Sequence, residues 1–544
     1  MNIYLVGIIL SIVAYILVGT HAGRKVKNVE DYYVSGRNAP TILIAGTLFA
    51  SMLSTNGFMG DTAYCYSGNI TTMILLNTLC ASGYVFGALF FGRYIRRAEI
   101  NTMPSYFGQR FNSVRIRRFA GLTTIISLTA YLLAVIQGTG MLMETITGLG
   151  RIPCLLISWF CFTSFTFYAG SRGVIITDTM MFIIFLGATI VGGPYVFQAA
   201  GGLGDLVANL VANPNTPPGL LSYHGNPGAG SAFDIVLYAI TMGIIWMVTV
   251  GVSPWQAGRN LMARSEHVIF RAGAISALLT VVFLTYLYLM AISVIQLNPH
   301  MAEPERVIIW AAYEVMPQLV GVVVLAGIMA AGLSSASTFL SVVSFSLSCD
   351  VLNIDCKDEA QQLRFTRMVV LGVGLVALAL AYLDLSSIRL ISWFASTIIA
   401  ASWGYVAFAS IWSRRLTERG AYYAMVGGFL GYIVPKCLKE VLGMPLTNLF
   451  DPFFIGVALS VILGVWGSKG QVKTAHEIAF QEKLHRRPAS EARASDYGRD
   501  RAYGWLMVAT GMAISAFFIV YWAIPYNVAV GSDVGSFFAA FGAD

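Results

Sequence analysis

The sequence predicts an all-helical, polytopic membrane protein, and three observations carry that expectation. Of the 544 residues, 57% are hydrophobic and 11% charged, with a mean hydropathy of +0.70. Soluble domains carry about 25% charged residues. The chain also divides into fourteen apolar stretches, each near the roughly 20 residues that a helix needs to cross a bilayer. They run approximately 1–19, 39–68, 72–93, 119–148, 153–170, 173–198, 232–254, 268–297, 319–350, 365–383, 391–412, 421–438, 453–467 and 504–524. Finally, the segments between them alternate between rich and poor in Lys and Arg.

The first stretch, Met1–Thr20, lacks the basic start and small-residue cleavage site of a signal peptide, so it reads as a retained span. Basic residues then orient the rest, because Lys and Arg collect in cytoplasmic loops. The segments 20–38, 93–118, Arg172, 255–271, 351–367, 414–419 and 469–501 hold 29 of the 34 Lys and Arg. Arg151, Arg306, Arg389, Lys436 and Lys439 remain for the other side. Fourteen spans with both termini extracytoplasmic fit this division, in a plasma or bacterial inner membrane. The net charge of +7 therefore reports topology; scattered over separate loops, it makes no nucleic-acid-binding face.

The polar segment 468–503 is too short and too charged to fold alone, so no soluble domain is expected. Seven cysteines show no metal-ligand spacing, and no nucleophile–base pairing stands out among six histidines. An enzyme is accordingly not expected, nor an obligate protein partner; membrane lipid and a small-molecule solute are the implied partners.

Parity exposes a symmetry. The span at 39–68 enters from inside and the span at 232–254 from outside, and five spans follow from each start. The blocks 39–198 and 232–412 therefore have opposite topology, leaving 1–38 and 413–544 peripheral. Inverted repeats of this kind build secondary transporters, whose sites lie near the midplane on discontinuous helices.

The opening helix of each block carries the matching signal. "LFASMLSTNGFMGD" (Leu48–Asp61) spoils its own hydrophobicity between Ser51 and Gly60, and "VTVGVSPWQAG" (Val248–Gly258) holds Gly251 and Pro254 as breakers. Both are expected to unwind around a cavity, since irregular backbone at membrane depth occurs only where it is buried or lines one. The alternative is a small-residue packing face. A third segment, Leu325–Leu352, puts Ala331, Ser334, Ser335 and Thr338 on one helical stripe with Ser337 at its edge. Such hydroxyls either bond their own helix or join carbonyls freed by a break to form an oxygen set suited to a hard monovalent cation.

At these residues the chain resembles the solute:sodium symporter family, which includes the bacterial sodium/proline, sodium/galactose and sodium/sialic acid symporters. Three motifs carry the resemblance: Phe49–Gly60, Ala331–Thr338, and "SIWSRRLTERGAYYAMVGGFL" (Ser410–Leu430). Gly173–Phe182 and Gly258–Gly273 add to it, and the likeness covers roughly residues 20–440. It implies a LeuT-type core of five-plus-five inverted repeats. It also implies a sodium site made by the carbonyls of Ala50, Leu53 and Ala331 and the hydroxyls of Ser334 and Ser335. A second sodium site, found only in some members, would fall on Asp178, Ser337 and Thr338. For Asp178 the alternative is a helix-end carboxylate bonding backbone amides.

For the solute, the resemblance points to Tyr131 and Trp246, with Asn56, Gly57 and Gln137 facing the same cavity; ordinary packing is the alternative for the aromatic pair. Met52 stands where proline symporters carry an acid, and Val250 replaces a second aromatic. A sugar would leave several buried hydroxyls unpaired, which is costly, so a small organic acid or amino acid is favoured. No Arg or Lys stands out inside the core to pair with an anion. The expectation is a sodium-coupled symporter importing a small solute by alternating access. The rivals are a proton-coupled carrier using Asp178 and a solute sensor on the same scaffold.

Overall fold

The computed structural model of the protein describes residues 2–23, 34–222, 225–352, 359–383, 387–443 and 450–531. Among the described residues there is no strand, only an isolated bridge between Ala39 and Ala263. Arg24, Lys25 and Lys27, counted in the first loop, and Lys357, counted in a later one, lie outside the described residues.

Each of the fourteen predicted stretches falls in a helix. We label the long ones α1 (Ile3–Gly23), α2 (Thr41–Thr55, continuing through wider turns to Asn69), α3 (Ile70–Gly87), α4 (Val114–Thr147), α5 (Arg151–Ala199), α6 (Ala232–Val252) and α7 (Glu266–Ser293). They continue with α8 (Gln318–Phe345), α9 (Glu359–Tyr382), α10 (Ile388–Trp412), α11 (Glu418–Leu442), α12 (Pro452–Ser468), α13 (Ala475–His485) and α14 (Ala494–Phe518). The predicted spans 153–170 and 173–198 share α5, within which Arg151–Phe167 and Gly173–Ala199 are the apolar parts. Among the described residues, ten helices are long and apolar enough to cross a membrane, and this is a multi-pass membrane protein.

Two features place the functional region. The opening helices of both predicted blocks are interrupted at mid-length, α2 at Ser54 (φ 45°, ψ −175°) and α6 at Ser253 (φ −65°, ψ 153°), with helix resuming at Asn56 and at Ala257–Asn260. The first interruption is narrower than expected. Ser54 alone leaves the helical region, and Asn56–Asp61 is a π-type turn rather than unwound chain. The two breaks touch: Gln256, in the gap after α6, donates from Nε2 to the Leu48 carbonyl at 3.2 Å. Close backbone approach holds α3 on α6, where a Cβ on Gly83 would stand 2.4 Å from the Met247 carbonyl oxygen.

The segments expected on the cytoplasmic side meet one another. Arg96 pairs with Glu491 at 2.8 Å, and Arg97 pairs with Glu266. Arg110 donates to the Ser410 carbonyl at 2.7 Å and to the Glu477 carbonyl at 3.0 Å. Segment 468–503 does not stand alone. Its helix α13 starts at a reciprocal Thr474–Glu477 cap and lies across that end of the bundle.

Candidate functional site

The break in α2 frees carbonyls opposite the serines of α8. A residue at φ 45° ends the i→i+4 ladder, so oxygens just before it need other partners. Leu53 O accepts from the Asn56 N–H. The Ser335 hydroxyl of α8 lies 3.5 Å from Ala50 O and 3.4 Å from Ser51 O. Ala50, Leu53, Ala331, Ser334 and Ser335 are all buried. Of the expected oxygens, the Ser335 hydroxyl and the Ala50 carbonyl face each other across the two helices. Ser334 is turned away, donating to Asp178 Oδ1 at 2.7 Å.

Asp178 of α5 is wholly buried and receives three donors: Ser334, Thr47 Oγ1 at 2.6 Å, and Arg259 Nη2 at 3.3 Å. The same Arg259 nitrogen donates to Thr338 Oγ1. Ser337 donates to the Ser334 carbonyl of its own helix at 2.9 Å. Of the three residues expected at a second sodium site, two converge on Arg259 and the third faces away. The core therefore does contain a basic side chain, against the expectation. Arg259 follows the α6 break directly, and in sequence it reads as one more loop cation.

Beside the break lies a narrow cavity lined by Met52, Leu53, Asn56, Gly57, Tyr131 and Trp246, together with Asp61, Asn77, Thr280, Tyr288 and Trp393. Four of the five expected solute residues meet there; Gln137, six residues along α4 from Tyr131, is not among the lining residues. The ring of Tyr131 meets Trp246 edge-on at 6.2 Å and lies 4.5 Å from Phe339. Asn56 ties two elements together, donating to Asp61 Oδ1 at 3.1 Å and accepting from Ser392 of α10 at 3.1 Å. Above it Arg389 stacks on Tyr64 and Trp393, at 3.9 and 4.4 Å from their ring centres. Sequence reasoning missed Asp61. A lone acid inside an apolar run is itself a signal, because intramembrane carboxylates are expensive.

Among the described residues, no group of three His, Cys, Asp or Glu could hold a metal ion.

Comparison with known proteins follows the same lines. The family model described as the sodium:solute symporter family matches residues 32–428. The sodium/proline symporter of Escherichia coli K12 is 27% identical over 444 residues, covering 77% of this chain and 85% of that protein. The sodium/pantothenate symporter of the same organism is 24% identical, covering 85% and 96%. Among solved structures, a substrate-bound, outward-open Na+-coupled sialic acid symporter superposes with a TM-score of 0.72 at 20% identity, covering 87% of this chain and 99% of that one. Mhp1, a nucleobase–cation symporter, superposes at 0.54 with 12% identity, over 83% of this chain and 98% of its own.

Proposed function

This chain belongs to the sodium:solute symporter family, and on that premise we propose how it couples sodium to a small organic solute. Sodium binds between the α2 break and α8, on the carbonyls of Ala50, Leu53 and Ala331 and the hydroxyl of Ser335, while Ser334 holds Asp178 beside them. The observation that carries this reading is the spacing of Ser335 Oγ from the Ala50 and Ser51 carbonyls, 3.5 and 3.4 Å. An ion of sodium's size, close to calcium's, takes oxygens at about 2.3–2.6 Å, so neighbouring ligands of one shell stand roughly 3.3–3.7 Å apart. The gap between the helices thus has the dimension of a coordination edge rather than of a strong hydrogen bond.

Solute binds on the other side of the same break, against Asn56, Gly57, Tyr131 and Trp246. One broken helix then contacts both ligands, which gives coupling a physical route: ordering the break by sodium shapes the solute's wall. Arg259 supplies the charge that Asp178 needs, so a single sodium suffices. The protein sits in the cell membrane with its basic loops cytoplasmic, and the inward sodium gradient drives import. One charge moved across 100 mV contributes about 2.3 kcal/mol.

Uptake into proteoliposomes, with sodium and proton gradients imposed separately, tests the coupling. Accumulation driven by sodium at equal pH is expected. Accumulation that follows only the proton gradient would overturn it in favour of a proton-coupled carrier, and solute binding without any accumulation would favour a sensor.

A further inference from the structure

The cavity contains a buried carboxyl group with no arginine at bonding distance. Four carboxylates are buried within the described spanning segments: Asp61, Asp178, Glu266 and Asp350. Three have an arginine at bonding distance. Asp178 has Arg259, Glu266 has Arg97, and Asp350 has Arg117 at 3.0 Å. Asp61 has none. Its partners are neutral, the Asn56 amide at 3.1 Å and the Tyr288 hydroxyl. Arg389 attracts it from a distance, but that guanidinium is spread over the rings of Tyr64 and Trp393. A buried carboxylate without a cation is strongly disfavoured unless something else supplies the charge.

The walls around Asp61 suit one kind of supplier. Tyr131, Trp246, Tyr288 and Trp393 line the same cavity, and aromatic faces attract desolvated cations. Tyr131 and Thr280 stand on the same wall, their hydroxyls beside those of Ser54 and Tyr84. We propose that Asp61 is the anionic anchor for a positively charged nitrogen on the transported solute, so that the substrate is a small zwitterion or cationic amine rather than a purely anionic acid. This rests on the reading of the cavity as the solute site. The nitrogen lies between the Asp61 carboxylate and the aromatic walls, and Asn56 holds the carboxylate toward it while linking it to α10. The solute thereby supplies the counter-charge that the other buried acids receive from arginine.

The test uses the purified full-length protein in saturating sodium. Thermal shifts are measured with L-proline, glycine betaine and choline as carriers of a cationic nitrogen, and with cyclopentanecarboxylate, pyruvate and galactose as probes lacking one. At least one cationic probe should stabilise the protein and none of the others should. Asp61→Asn should weaken the active probe at least tenfold, and Asp61→Glu should restore part of that loss. The shift given by sodium alone should be unchanged in both variants, which reports that they are folded. Stabilisation by a probe without a cationic nitrogen overturns the proposal, as does silence from every cationic probe or wild-type affinity in Asp61→Asn. Acid-driven uptake that Asp61→Asn abolishes without altering solute affinity also overturns it, making Asp61 a proton carrier. If instead Asp61→Asn loses the cationic probe while uptake ignores the sodium gradient, the coupling reading fails and the anchor stands.

Discussion

Arg259 and Asp178 form an ion pair, Nη2 to Oδ2 at 3.3 Å, with side chains 5% and 0% exposed. The arginine follows the α6 break and the acid belongs to α5, so the pair ties the two predicted repeats together at the depth of the α8 serines. Removing one member of a buried pair costs about 3–5 kcal/mol, whereas replacing both costs much less. Arg259→Gln and Asp178→Asn should each lower the melting temperature sharply in detergent, and the double variant should recover most of the loss. Additive losses would show that the two side chains act independently.

The same pair bears on stoichiometry. With the Arg259 guanidinium already between Asp178 and Thr338, reversal potentials across proteoliposomes should give one sodium per solute, for the wild type and for Asp178→Asn. A value of two in the wild type that falls to one in the variant would mean that Arg259 leaves and a second sodium enters during the cycle.

Ser334 and Ser335 are neighbours with different partners, and alanine should separate them. Ser335→Ala removes the hydroxyl facing the α2 carbonyls and should raise the sodium concentration for half-maximal uptake at least tenfold, equivalent to about 1.4 kcal/mol. Ser334→Ala removes a donor to Asp178, so its loss should appear mainly as reduced thermal stability, with a smaller change in sodium dependence. Equal effects on sodium dependence would place both hydroxyls on the ion.

At Gly57 an added Cβ would stand 2.7 Å from Leu53 Cδ1 and 3.8 Å from Leu284 Cδ2, both side chains of the cavity wall. The nearest atom is the end of a flexible side chain, so Gly57→Ala should fold with only a modest loss of solute affinity. Gly57→Leu should fill the cavity and abolish solute-dependent stabilisation while the sodium-dependent shift persists. Parallel loss of both shifts would assign the glycine to packing alone.

Lys473, in the loop between α12 and α13, is held down to about 8 by partial burial and by the nearby positive Arg110. Its Nζ donates to the Ser413 carbonyl at 2.9 Å and to Gln481 at 2.7 Å. Because the folded state releases this proton before the unfolded chain does, the unfolded state binds more protons between pH 8 and about 10.5, so this residue makes stability rise with pH there. Lys473→Met should flatten that part of the difference between melting curves at pH 8 and pH 10. An unchanged difference would show that the lysine titrates normally.

Much of the candidate site was legible because its signals are local. Gly251 and Pro254 announce a helix end, and the polar run in Leu48–Asp61 announces a break in lipid, because helices are otherwise the cheapest way to satisfy backbone groups there. The width of that break was not legible. Ser54 absorbs it in one residue, since the π-type turn that follows keeps the backbone bonded. Gln137 was expected at the same cavity, but it lies six residues beyond Tyr131 on α4, which turns it roughly 120° around the helix and out of the lining.

By itself the sequence determined the membrane class, the spans and the two interrupted helices, because hydropathy, loop charge and breaker residues act over a few residues and need no partner. Only the tertiary structure decided the fate of the charges. Arg259 looks like any loop cation until α5 delivers Asp178 to it. Asp61 looks like any intramembrane acid until the surrounding helices arrive with no cation at bonding distance, the nearby Arg389 being stacked on Tyr64 and Trp393. Charge compensation is a relation between segments far apart in the chain, set by which side chains share a low-dielectric space, and no local pattern encodes it.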